Sequence, residues 1–135
     1  MDTIRTFMNQ CETMAKEAAE DGENRVGAIV VKDGIVISKA KESTKAGDIT
    51  QHAEILAIQK ASWLLGKDLS TCTLITTHEP CVMCSYVIRY HSISRVVYQH
   101  PSEYLGGIHS SFSVLSTDEV PPHWSKAPEI IQLRE

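Results

Sequence analysis

The sequence predicts an α/β domain built around a mixed β-sheet. Three observations lead to this prediction: an amphipathic helix pattern opens the chain, two β-branched runs flank Asp33-Gly34, and later apolar runs alternate with helix patterns. An Asp-Gly pair between β-branched runs is a strong hairpin signal, so the first two strands should be antiparallel. Strands separated by helices are usually parallel, so the sheet should be mixed, with helices on its faces.

Apolar spacing and turn residues place the elements in order. The predicted helices cover residues 3–20, 51–65 and 80–90. The predicted strands cover residues 26–31, 35–37, 72–77 and 94–98. Thr50 or Asp48 should cap the second helix, Gly66 should end it, and Pro80 should lie in the first turn of the third. Residues 101–120 contain Gly106-Gly107, which argues against a helix there, and the C-terminal tail could add a short element.

Composition limits the classes of function. With 135 residues, the chain has the length of one domain, here residues 1–135. A net charge of −4 disfavours a broad nucleic-acid-binding surface, although a local basic patch stays open. We expect no membrane span and no export signal, because no apolar stretch is long enough to span a membrane and the first 22 residues contain no apolar signal core. The four cysteines therefore favour reduced thiols in the cytoplasm.

Cys81 and Cys84 are the first candidate metal ligands. At i and i+3 they share a helix face, and a helix N-terminus favours their thiolate forms. A structural zinc site needs four protein ligands, but Cys11 and Cys72 do not form a second CxxC pair. A catalytic zinc site needs three protein ligands and one open position, so one more ligand must come from elsewhere.

His52 is the best third ligand, because it also opens a predicted helix. Glu54 lies two residues further along, about 200° around a helix, so both side chains reach one point only from the first turn. A carboxylate that is not a ligand can take a proton from zinc-activated water and pass it to a leaving amine. The combination of H-x-E and P-C-x-x-C is the signature of zinc deaminases.

These motifs resemble the cytidine deaminase-like superfamily, and in particular the branch of guanine, cytosine and tRNA adenosine deaminases. The resemblance runs from about Phe7 to Leu115 and includes VGAIVVKDG, DITQHAEILAI, TTHEPCVMC and SRVVY. It implies a three-layer α/β/α sandwich around a mixed five-stranded sheet. It also implies homodimers with active sites near the interface.

The same resemblance implies a ligand set and a proton shuttle. Zn²⁺ would be bound by His52, Cys81 and Cys84, and Glu54 would carry the proton. His78 lies close to Cys81 in sequence and is a weaker competitor for the metal.

Three further residues are candidate substrate contacts. Lys41 stands eleven residues before His52, where close relatives usually carry an asparagine. A lysine cannot accept a hydrogen bond from a ring N–H, but it could pair with an anionic or oxo substituent. Tyr104 and His109 lie in a segment that borders the active site in relatives.

The main prediction is a zinc-dependent hydrolytic deaminase of a small aminopurine or aminopyrimidine, either a free base or a nucleoside. The alternative is a tRNA-specific adenosine deaminase, which the acidic charge and Lys41 disfavour but do not exclude. A non-enzymatic zinc domain would not need Glu54. A thioredoxin-like redox protein would leave His52 and Glu54 without a role.

Overall fold

The computed structural model describes residues 3–134. Its α-helices are α1 (Ile4–Glu20), α2 (Ala53–Leu65) and α3 (Val82–Tyr90). Its strands are β1 (Gly27–Lys32), β2 (Ile35–Lys41), β3 (Thr73–His78), β4 (Arg95–His100) and β5 (Glu129–Gln132). Every predicted helix and strand is present, with bounds shifted by a few residues.

The five strands form one mixed sheet in the order β2-β1-β3-β4-β5. Strand β1 is antiparallel to both β2 and β3, whereas β3, β4 and β5 run parallel. Asp33 and Gly34 join β1 to β2 with φ angles of 53° and 76°. Positive φ at both central residues is what a tight type I′ hairpin turn requires, and Asp-Gly supplies it.

Helices cover both faces of the sheet. On one face, α1 packs its apolar side on the strands; its buried members there are Phe7, Met8 and Cys11, against Ile29, Val31, Ile75 and Val97. On the other face, α2 and α3 bury a second cluster that includes Ala57, Ile58 and Ile88 over Val30, Leu74 and Val96. The predicted three-layer α/β/α sandwich is thereby confirmed.

Helices α2 and α3 each begin two residues later than predicted. The N-cap of α2 is His52, not Thr50 or Asp48. Asp48 instead accepts the backbone N–H of Thr50 at 2.9 Å, so it closes a local turn before the helix. Helix α3 begins at Val82 with Cys81 as its N-cap, which leaves Pro80 outside the first turn.

The segment between β4 and β5 contains neither a helix nor a strand over residues 101–128, and its one isolated bridge joins Gly106 to Cys81. The tail then returns to the sheet as β5. Within residues 3–134, no helix is long and apolar enough to cross a membrane.

Candidate active site

The first turn of α2 leaves an imidazole available at the edge of the sheet. His52 caps the helix with an extended backbone (φ −65°, ψ 147°), but its side chain makes no capping hydrogen bond. The carboxylate of Glu42 accepts the N–H of Ala53 instead, at 3.0 Å. The N–H of Ala53 is therefore satisfied by a residue outside the helix, and the ring of His52 is not used as a cap.

The first turn of α3 presents two sulfurs to the same place. Cys81 follows β3 by three residues, and its Sγ accepts the backbone N–H of Cys84 at 3.5 Å. Cys84 is fully buried, whereas Cys81 is partly exposed. The thiol pair thus lies at a helix N-terminus, which favours negative charge.

His52, Cys81 and Cys84 form a donor set of the size that zinc requires. Nδ1 of His52 lies 3.6 Å from Sγ of Cys81 and 3.4 Å from Sγ of Cys84. Zn–S bonds of about 2.3 Å and Zn–N bonds of about 2.1 Å would set such donors about 3.6 Å apart in a tetrahedron. Three donors leave a fourth tetrahedral position open, as in a catalytic centre.

Glu54 lies beside this donor set in the first turn of α2. Its side chain is only 4% exposed. Its Oε2 accepts a hydrogen bond from the hydroxyl of Thr76 on β3 at 3.2 Å. The hydroxyl of Thr76 thus orients the carboxylate of Glu54, which is not a member of the His52, Cys81 and Cys84 group.

Comparison with known families decides what kind of site this is. Residues 1–100 match the cytidine and deoxycytidylate deaminase zinc-binding region. The chain belongs to this deaminase family. Zinc is the family's metal, and the His/Cys/Cys group is a suitable place for it in this chain.

Individual relatives include deaminases with different substrates. The tRNA-specific adenosine deaminase of Aquifex aeolicus is 46% identical over 111 residues, which cover 81% of this chain and 74% of the relative. The guanine deaminase of Bacillus subtilis is 35% identical over 119 residues, covering 84% and 76%. A solved structure from work on tRNA:A34 deaminases superposes with a TM-score of 0.83 at 33% identity, covering 93% and 90%.

A cavity of about 380 Å³ opens onto the donor set of the deaminase. Its lining residues are Asn24, Arg25, Val26, Glu42, His52, Glu54, His78, Glu79, Cys81 and Ser102. A larger cavity of about 540 Å³ lies beneath α1, and its lining includes none of the zinc donors or Glu54. The cavity of about 380 Å³ is the one lined by His52, Glu54 and Cys81, and it is called the catalytic cavity below.

The three donor side chains change one another's pKa values through the hydrogen bonds between them. The pKa of Cys81 is lowered to about 4, first because the Cys84 thiol donates a hydrogen bond to it. The hydrogen bond with Cys81 raises the pKa of His52 to about 9. The hydrogen bond between Cys84 and Cys81, followed by desolvation, raises the pKa of Cys84. Zinc needs both sulfurs as thiolates and the imidazole neutral, so loading must release protons.

Burial also changes the carboxyl groups that line the cavity. Desolvation raises the pKa of Glu54 to about 7, and the charges of Glu42 and Cys81 add to that rise. Desolvation likewise raises the pKa of Glu42, although the N–H of Ala53 opposes the shift by bonding to the charged form. A carboxyl group with a pKa near neutral is suited to taking and giving a proton.

The structure places Lys41 outside this cavity. Its Nζ pairs with the carboxylate of Asp21 at 3.2 Å, and its side chain lines a different surface pocket, beside Met14 and Glu17. The next residue, Glu42, is buried and lines the catalytic cavity. Successive side chains at a strand end point to opposite sides, so alternation from buried Ala40 could have identified Glu42 from the sequence.

Neither Tyr104 nor His109 is among the residues that line the cavity. The side chain of Tyr104 is 79% exposed. The ring of His109 is within hydrogen-bonding distance of the Tyr98 hydroxyl, with Nε2 at 3.0 Å. His78 does line the cavity, but its Nδ1 bonds with the hydroxyl of Thr77 at 2.9 Å, and it is not part of the zinc donor group.

Glu79 is a functional candidate that sequence reasoning missed. Its buried carboxylate accepts the backbone N–H groups of Ser102, Ile108 and His109 at 3.2, 3.0 and 3.0 Å. A Cβ on Gly106 would collide with the same carboxylate. Glu79 therefore fixes residues 102–109, here called the wall loop, against the start of α3.

Proposed function

We propose that this protein is a zinc-dependent hydrolytic deaminase that removes the exocyclic amine of a small aminopurine or aminopyrimidine and releases ammonia. The substrate would be a free base or a nucleoside. The observation that carries the proposal is the donor set of His52, Cys81 and Cys84 with buried Glu54 beside it. A structural zinc site would need a fourth protein ligand and no such carboxylate.

When bound, zinc supplies a Lewis acid that lowers the pKa of a water molecule to about 7. The work of this chain is to move the proton. Glu54 accepts the proton that the attacking water loses and delivers it to the amine nitrogen, while the water oxygen bonds to the ring carbon and the C–N bond breaks. Thr76 holds Oε2 of Glu54, so the carboxylate stays in place for both transfers.

An ammonia-release screen combined with metal analysis tests the proposal. The panel contains guanine, cytosine and adenine, their nucleosides and nucleotides, and tRNA. We expect about one zinc per chain and ammonia from at least one small compound. Glu54→Ala should keep the zinc and lose turnover, whereas Glu20→Ala, at the exposed end of α1, should keep both. Full turnover by Glu54→Ala would contradict the mechanism.

A tRNA-specific adenosine deaminase is the second candidate, favoured by the identity and superposition with tRNA deaminases. The net charge of −4 opposes it, because tRNA binding gains most of its affinity from phosphate contacts. Inosine formation in tRNA, with no ammonia from any base or nucleoside, would make this the preferred function.

We further propose that residues 1–135 act as one domain in a cytoplasmic homodimer. Trp63 and Leu64 support the dimer, because these large apolar side chains at the end of α2 are 78% and 69% exposed. Sedimentation of the wild type and of Trp63→Glu/Leu64→Glu tests it. We expect a dimer that the paired substitution converts to monomer, and a monomeric wild type would refute it.

A further inference from the structure

Glu42 is a buried carboxylate whose position in the cavity is not explained by zinc binding or proton transfer. It follows β2, is 4% exposed, and lines the catalytic cavity. One of its oxygens, a nitrogen of His52 and an oxygen of Glu54 all lie within 4.8 Å of one another. A planar heterocycle bound beside His52 and Glu54 would therefore lie close enough to Glu42 to form a hydrogen bond with it.

The hydrogen bonds of Glu42 leave acceptor capacity unused. Within residues 3–134, its recorded donors are the backbone N–H of Ala53, at 3.0 Å, and the side chain of Asn24. A carboxylate offers about four lone-pair positions on two oxygens. Two bonds thus leave room for a further donor, and the cavity is the open side from which one can approach.

We propose that Glu42 selects the substrate by accepting a hydrogen bond from a ring N–H. An ionised carboxylate accepts hydrogen bonds and donates none, so it favours a ring N–H and repels a ring nitrogen that presents a lone pair. Free guanine carries such N–H groups at N1 and on its five-membered ring, and free cytosine carries one at N1. Adenosine and cytidine carry none, so Glu42 disfavours both nucleosides.

Capping of α2 alone does not require a carboxylate. The N–H of Ala53 needs an acceptor, and the amide oxygen of a glutamine would supply it equally well. Glu42→Gln therefore keeps the cap and nearly the same volume, but it turns one oxygen into an N–H donor. A ring N–H facing that donor would lose its partner, whereas a ring nitrogen with a lone pair would gain one.

Binding to a protein that cannot turn over tests this directly. The background is zinc-loaded Glu54→Ala, and the probes are guanine with 1-methylguanine and 9-methylguanine, cytosine with 1-methylcytosine, and adenosine, measured by equilibrium dialysis. For at least one base, adding Glu42→Gln should weaken binding about 10- to 100-fold, as expected for one hydrogen bond to a charged group. The base that is methylated at the recognised nitrogen should bind weakly to both proteins, and adenosine should bind Glu42→Gln no worse.

The matched control is Glu23→Gln. Glu23 also accepts backbone N–H groups, those of Thr44 and Lys45 at 2.8 and 3.0 Å, but it lies outside the cavity lining. It should leave every affinity unchanged. Zinc content and Tm of all variants should match those of the background, which separates lost recognition from lost folding.

Because Glu42 matters to catalysis only if the site deaminates a base, this proposal rests on the proposed function, yet the two can fail separately. Glu42-dependent binding with no ammonia from the intact enzyme would remove the deaminase function and keep the recognition. Unchanged affinities in Glu42→Gln, or tRNA adenosine as the best substrate of the intact enzyme, would overturn the recognition. Unchanged affinities or a preference for tRNA adenosine would both leave the proposal of zinc-dependent deamination intact.

Discussion

Two regions that meet at the catalytic cavity are built in different ways. The helix starts, residues 52–54 and 81–84, carry the donor set and Glu54 in short stretches of sequence, and local helix geometry aims them at one point. The wall loop, residues 102–109, contains no helix or strand. Its backbone N–H groups donate to the Glu79 carboxylate and to the Pro80 carbonyl, which lie more than 20 residues earlier in the sequence. Chemistry is thus specified locally, while the shape of the cavity depends on contacts far apart in sequence.

Removing a metal ligand should have the largest effect. Cys84→Ala deletes a buried sulfur from the donor set, so we expect loss of zinc and of at least 10³-fold in turnover, since every proposed step needs the metal. Atomic absorption and an ammonia assay measure both. Cys11→Ala removes an equally buried sulfur from the sheet-facing side of α1, so it should cost stability but keep zinc.

Removing Glu79, which holds the wall loop, should have the second-largest effect. Glu79→Ala leaves three backbone N–H groups without their acceptor, each bond to a charged group being worth about 1.5–3 kcal/mol. We expect the free energy of unfolding to fall by about 3 kcal/mol or more and KM to rise, with zinc retained. Urea unfolding and metal analysis check this. Loss of zinc together with the loop would show that the two regions are not separable.

Crowding the loop should have a smaller effect. Gly106→Ala places a methyl group against the Glu79 carboxylate, so the loop must shift, at a cost of about 1–3 kcal/mol. In a Glu79→Ala background the three atoms nearest to that methyl group are gone. Urea unfolding of the four proteins in this cycle should therefore show the two costs to be non-additive. Simple additivity would mean that Glu79 and Gly106 do not share one contact.

The contrast between the helix starts and the wall loop explains which features could be predicted from the sequence and which could not. The element order follows from periodicity and turn residues, which are local, and the pairing of HAE with PCVMC follows from the signature of zinc deaminases. The N-caps were misplaced because Asp48 bonds within its own turn and Glu42 caps α2 from a strand end. Glu79 was missed because its bonds span more than 20 residues and go to backbone atoms, which leave no side-chain pattern to read.

The smallest effect should come from Lys41, which the sequence placed among the substrate contacts. Its ion pair with Asp21 is exposed at both ends, 40% and 64%, and such pairs contribute about 0–1 kcal/mol. Lys41→Met should therefore change unfolding by less than about 1 kcal/mol. Because Nζ points to Asp21 and not to the cavity, KM should change by less than about threefold. A larger rise in KM, at unchanged stability, would mean that Lys41 leaves Asp21 when substrate binds and reaches an anionic or oxo group on it.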